Sequence, residues 1–201
     1  MLPIFVGDVH GCFKEYKDMT NRFERTIQLG DMGIGFDNDE SVFSNINSKQ
    51  HKFIRGNHDN PKKVDDYCHY LGNYGIIDDI YYFSGGYSID RYSRTEGKNW
   101  WPEEELNYSE SYKAYKIYNE NKPDIVCSHE CPKCVINFLK NDDNIISSTT
   151  SKTLDFLFEI YQPKFWLFGH HHTNKEFIYK NTHFVAVNTL CLYNLNLMKF
   201  I

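Results

Sequence analysis

Five times along the chain a short apolar run breaks off into glycine and ionisable residues. LPIFV at 2–6 runs into GDVHG, and RTIQL at 25–29 into Gly30-Asp31. KFI at 52–54 runs into RGNHD, DIVC at 124–127 into Ser128-His129-Glu130, and KFWLF at 164–168 into GHHH. Each run has the length of a buried strand. Between them, Phe13, Tyr16, Met19 and Phe23 fall on one face of a helix. A second helix is expected from Pro102 to about Asn121, with Pro102 at its first position and Glu103, Glu104 and Glu105 at the positive end of its dipole. A third is expected over SKTLDFLFEIY at 151–161. IYYFSGGYSID at 80–90 reads as a hairpin bending at Gly85-Gly86, and KEFIYK, HFVAVN and LYNLNLMKF supply two or three further strands. Strands alternating with helices, then a strand-rich tail, predict a layered α/β fold with two sheets.

Composition narrows the picture. The 201 residues suit one domain, here 1–201, with an insertion around 85–122 facing the substrate; a 41% hydrophobic content is enough for its core. A formal net charge of −5 argues against a partner bound through bulk positive charge, so no general nucleic-acid binding is expected. No secretory leader and no membrane-spanning run are visible. The six scattered cysteines suit a reducing compartment, and the expected location is cytoplasmic. Cys131-Pro-Lys-Cys134 is a C-x-x-C without a second pair, so a zinc-finger site is not expected there.

The polar ends carry the chemistry. In layered α/β proteins sites lie at the carboxyl ends of strands. That edge would gather Asp8, His10, Asp31, Asn57, His129, His170 and His172. Such a set cannot be buried together without a cation, and two divalent metals resolve the problem. Side chains alternate along extended backbone, so Asp8 and His10 share a side, as do His170 and His172, with His171 turned away. Mixed nitrogen and oxygen donors suit manganese, iron, zinc or similar ions better than calcium; manganese is expected first, with iron, zinc, nickel or magnesium as alternatives. A lone carboxylate such as Asp31 can bridge two metals.

These motifs, G-D-x-H-G at 7–11, G-D at 30–31, R-G-N-H-D at 55–59, S-H at 128–129 and G-H-x-H at 169–172, resemble the calcineurin-like metallophosphoesterases, in that family's order. The resemblance implies a four-layer α-β-β-α sandwich with two mixed central sheets and a dinuclear site. It assigns Asp8, His10 and His172 to one metal, Asn57, His129 and His170 to the other, and Asp31 to both. It implies hydrolysis of a phosphorylated substrate by a hydroxide held between the metals. His58 would act beside it as an imidazolium, stabilising charge or protonating the leaving oxygen, and Arg55 would grip phosphate.

R-G-N-H-D also resembles the protein Ser/Thr phosphatase branch, with bacterial and phage members. That branch continues its second motif as G-D-x-x-D-R-G; here Ile34 and Gly35 replace the Asp and Arg. Arg91 is the candidate replacement for phosphate binding, with Arg94 and Lys98 as further cations nearby. The substrate is expected to be a phosphoprotein or another phosphate monoester or diester, with nucleotides or cyclic nucleotides as the alternative. A catalytically silent scaffold serving as an interaction module is the reading of another class. His51, His69 and His183 are expected to be structural, the 103–105 glutamates solvated, and Trp100 and Trp101 to cover the core edge or form an aromatic lid.

Overall fold

The structure is a computed structural model that describes residues 1–36, 40–139 and 147–201. Its elements in order are β1 (Ile4–Val6), α1 (Phe13–Thr20), β2 (Thr26–Gln28), β3 (His51–Phe53), β4 (Tyr74–Ile77), β5 (Ile80–Phe83), α2 (Tyr108–Asn121), β6 (Ile125–Ser128), α3 (Ile136–Leu139), α4 (Thr149–Ile160), β7 (Phe165–Phe168), β8 (Lys175–Tyr179), β9 (Thr182–Ala186), β10 (Leu192–Asn194) and β11 (Lys199–Phe200). One sheet has the order β11-β10-β1-β2-β3 and the other β4-β5-β6-β7-β9-β8. Both are mixed. β1, β2 and β3 run parallel in the first, and β5, β6, β7 and β9 in the second.

Strand alternation builds the layers. Phe5 and Ile27 of the first sheet meet Ile80, Tyr82, Cys127, Leu167 and Val185 of the second in one buried cluster, the core between the sheets. Their neighbours Ile4 and Val6 point outward onto Phe13 and Tyr16 of α1. On the opposite outer face, Tyr81, Val126, Trp166 and Phe184 pack against Ala114 and Tyr118 of α2 and Leu154, Leu157 and Phe158 of α4. The result is the expected helix-sheet-sheet-helix sandwich. Among the described residues, no helix is long and apolar enough to cross a membrane.

Three local expectations are corrected. The hairpin bends at Asp78-Asp79, not Gly85-Gly86: β4 pairs antiparallel with β5 across that two-residue turn, and both aspartates take positive φ. Such turns demand left-handed residues, and Asp tolerates them. Gly85, also left-handed, instead lets the chain after β5 pass close to the Glu104 carbonyl, which an added Cβ would strike. The second helix starts at Tyr108 rather than Pro102. Residues Pro102–Glu104 form only a single 3₁₀ turn, because Glu104 folds inward onto Ser88. Asn107 then caps α2 reciprocally with Glu110. Finally, the tail holds four strands; β10 pairs with β1 and β11 with β10, completing the first sheet. His51, His69 and His183 are structural, pairing with Thr26, the Ile46 carbonyl and Glu176.

Candidate metal centre

The carboxyl ends of β1, β2 and β3 in one sheet and of β6 and β7 in the other meet at one edge of the sandwich. The loops beyond them are stitched together. Val9 and His10 N–H donate to the Asp31 carbonyl, at 2.9 and 2.8 Å, and Gly169 N–H donates to the His129 carbonyl at 3.1 Å. Bonds also cross between the sheets, among them His129 Nδ1 to the Leu29 carbonyl at 2.8 Å and His170 N–H to the Asp8 carboxylate at 3.1 Å.

All seven predicted ligands arrive at this edge. His172 Nε2 lies 3.0 Å from Asp8 Oδ2 and 3.0 Å from His10 Nε2, while His10 Nε2 lies 3.8 Å from Asp31 Oδ2. On the other side, His129 Nε2 lies 3.2 Å from Asp31 Oδ1 and 3.0 Å from Asn57 Oδ1. The His129 and His170 rings stand 4.9 Å apart. Donor atoms therefore gather in two groups that could each hold a metal: Asp8, His10, Asp31 and His172, and Asp31, His129 and His170. Asp31 belongs to both.

The route to this convergence differs from simple strand alternation. The strands stop at Val6 and Phe168, before the ligands begin. His10, Asp31, His170 and His172 each adopt positive φ, between 46° and 62°. Left-handed turns, uncommon outside glycine, aim the side chains inward. Close approach does the rest. A Cβ on Gly56 would collide with the Asp31 carboxylate, and one on Gly169 with that of Asp8.

The electrostatics call for a cation. Burial works against charged Asp8 and Asp31, yet the surrounding histidines hold both below the usual carboxylate range. Burial likewise opposes charge on His129, but Asp31 and Asp8 lift it to about 10. Two enclosed carboxylates thus demand positive charge. A proton on His129 can supply it, and a divalent cation among these imidazole and carboxylate donors meets the demand more fully. The bond from His129 Nδ1 to a backbone carbonyl leaves Nε2 facing the centre, the usual arrangement behind a ligating imidazole.

The supporting residues were largely hidden in the sequence. Gln28 bridges the Gly7 and Gly30 carbonyls and accepts from Gly30 N–H, tying β1 to the Asp31 loop. Asp59 is fully buried and accepts N–H bonds from Met32, Gly33, Ile34 and Gly56, clamping the Asp31 loop to the Asn57 loop. Asn57 Nδ2 donates to Ser88 Oγ at 3.1 Å, and Ser88 Oγ donates to Glu104 Oε2 at 2.5 Å. Glu104, read as solvated, is therefore an internal prop. Glu130, directly after His129, contacts both His170 and His171. Its place in a strand-end motif was the one available signal.

The Arg55 expectation is corrected. Arg55 is only 2% exposed, and its guanidinium donates to the Glu104 carbonyl at 2.9 Å and to Asn73, fastening the 84–107 segment instead of facing a substrate. Arg91 stacks its guanidinium over Tyr87 and Tyr92. Arg94 is the one brought to His58, its Nη2 against His58 Nε2, and Asp90 holds it at 2.8 Å. His58 also departs from its expected imidazolium state. Burial and the adjoining Arg94 lower its pKa, against the pull of Asp31, so the neutral ring is favoured. The ring lies 5.0 Å from the His10 ring, and the His58 backbone N–H donates to Asp31 Oδ1 at 2.7 Å. Phe36 packs beside His58 and edge-on to the buried Trp101.

Comparison with known proteins agrees with this fold. Solved structures share the fold across nearly the whole chain. The protein TT1561 of Thermus thermophilus aligns with a TM-score of 0.61 at 12% identity, covering 100% of this chain and 98% of its own. GAP50, described as the anchor in the inner membrane complex of Plasmodium, aligns at 0.51 and 10% identity, covering 92% and 71%. No curated protein matches the sequence significantly. The calcineurin-like phosphoesterase profile matches residues 1–174, most of the chain and every ligand-bearing loop, and the protein belongs to that family.

Proposed function

We propose that the protein is a two-metal phosphoesterase that hydrolyses phosphate monoesters or diesters. The observation carrying this reading is the shared carboxylate: Asp31 faces His10 with one oxygen and His129 with the other. Asp8, His10 and His172 would hold one cation, Asn57, His129 and His170 the other, and Asp31 both. Bound there, two divalent cations would activate a water and neutralise phosphate charge. Manganese remains the first candidate, with iron, zinc, nickel and magnesium also compatible with the donors.

The chain's own groups complete the site. Arg94, pinned by Asp90, presents a fixed guanidinium beside His58 and suits the phosphate oxygens. His58, neutral and adjacent, can hydrogen-bond the substrate, and once protonated it can pass its proton to the leaving oxygen. Phe36 and Trp101 form an apolar wall on the same side. That wall, and Gly35 where a phosphatase of the Ser/Thr branch carries Arg, favour small aryl, nucleotide or cyclic phosphodiester substrates alongside phosphoserine and phosphothreonine. The six free thiols suit a cytoplasmic setting.

Turnover of p-nitrophenyl phosphate and bis-p-nitrophenyl phosphate tests the proposal, run with added Mn, Fe, Zn, Ni or Mg. The expected result is metal-dependent hydrolysis of at least one, abolished in Asp31→Asn together with metal binding. Absence of hydrolysis on these esters, nucleotides and phosphopeptides would leave the scaffold reading in its place.

A further inference from the structure

A second group of metal-ligating side chains lies beside the dinuclear site. Glu130 and Cys131 follow β6, and His171 follows β7. His171 Nε2 is 2.7 Å from Glu130 Oε1 and 3.3 Å from Cys131 Sγ. All three donor atoms lie within 4.8 Å of one another. We propose that Glu130, Cys131 and His171 form a third metal site, built around a thiolate and selective for a zinc-class divalent cation.

The donor set comes first. Thiolate, imidazole and carboxylate are the three zinc donors, and a soft sulfur ligand disfavours magnesium and manganese. The seven candidate ligands of the neighbouring centre include no cysteine, so the two sites would differ in the metals they prefer.

Spacing comes next. Zinc bonds of about 2.0–2.3 Å in tetrahedral array set ligand atoms roughly 3.4–3.6 Å apart. The two distances to His171 Nε2, 2.7 and 3.3 Å, are already near this and must open by less than about 0.8 Å to admit the ion, while the Glu130 and Cys131 donors lie within 4.8 Å of each other. Water would fill the remaining position.

The surroundings hold the trio in place. Cys131 is fully buried and Glu130 5% exposed. Cys131 N–H donates to Glu130 Oε1 at 2.8 Å, and the Glu130 carbonyl accepts from Ser128 Oγ, itself held by Trp166 Nε1. The His171 ring stands edge-on to buried Phe168. Cys134, the other half of the C-x-x-C, has its N–H bonded to Asp155 Oδ1 and is not one of the three donors.

The site would also communicate with its neighbour. Glu130 Oε2 lies 3.3 Å from His170 Nε2, so one carboxylate touches both His171 and a candidate dinuclear ligand. A cation drawing on Glu130 would weaken its hold on His170.

Titration of the metal-free full chain with Co²⁺ tests this, because a cobalt–thiolate bond gives a near-ultraviolet charge-transfer band that nitrogen and oxygen ligands do not. The expected result is such a band saturating at one metal per chain, beyond whatever the dinuclear site binds. Cys131→Ser should lose the band and one bound equivalent while keeping the rest, and Cys134→Ser should keep both. His171→Asn offers a second route if Cys131→Ser misfolds, and should weaken or shift the band. No band in the wild-type protein, or a band unchanged in Cys131→Ser or His171→Asn, overturns the proposal and leaves the trio as a hydrogen-bonded support for His170. The readout does not depend on hydrolysis, so it is independent of the phosphoesterase reading.

Discussion

Replacing Glu104 with Gln should weaken metal binding at Asn57 without touching a ligand. Asn57 can serve a cation only through Oδ1, and its amide could flip. Proton bookkeeping prevents the flip. Ser88 has one hydroxyl proton and gives it to Glu104 Oε2 at 2.5 Å, while its own N–H goes to Oε1 at 3.0 Å. Ser88 Oγ can then only accept, so the Asn57 amino group must face it and Oδ1 must face the centre. A Gln at 104 can donate to Ser88, freeing the hydroxyl proton to turn on Asn57 and favour the wrong amide orientation. The lost preference is that of a hydrogen bond to a charged group, about 1.5–3 kcal/mol. It matches the 10–100-fold loss typical when a residue behind a ligand is changed. Competition of Mn²⁺ or Zn²⁺ against a chromophoric chelator should show one site weakened by that factor and the other unchanged. Equal affinity of both sites in Glu104→Gln and wild type would refute the reasoning.

Arg94→Ala should lower kcat/KM for phosphoesters by about 10–100-fold, the worth of one charge-assisted bond, whereas Arg91→Ala should leave it near wild type; steady-state kinetics separates the two. Gly56→Ala should abolish metal binding, because the new methyl meets the Asp31 carboxylate, and a metal-content measurement on the purified variant checks it. Leu167→Ala, in the core between the sheets, should cost about 2–5 kcal/mol in urea unfolding while preserving the metal ligands.

The strand-end cluster could be read before any coordinates because each member follows an apolar run with nowhere to go but the sheet edge. Asp8, Asp31 and His129 are local consequences of where a strand stops. Arg55 could not be read in the same way. Its partner, the Glu104 carbonyl, is 49 residues away, and whether a guanidinium meets phosphate or backbone depends on how the intervening chain folds back. Arg94 reaches His58 across 36 residues for the same reason. Glu104 sits in a run of three glutamates that reads as a solvated helix start, and only its inward fold onto Ser88 reveals it as buried. The misplaced hairpin has a different origin. Gly-Gly is a stronger turn signal than Asp-Asp, but strand pairing puts the reversal at the aspartates and leaves the glycines to bring two backbones together.

The left-handed backbone at His10, Asp31, His170 and His172 implies a trade between function and durability. Each such residue costs on the order of 1–3 kcal/mol, so the rim is spring-loaded, and whatever occupies it offsets that tension. Glycine in place of His10 or His172 would relax the spring and yield a hardier protein that no longer does its work.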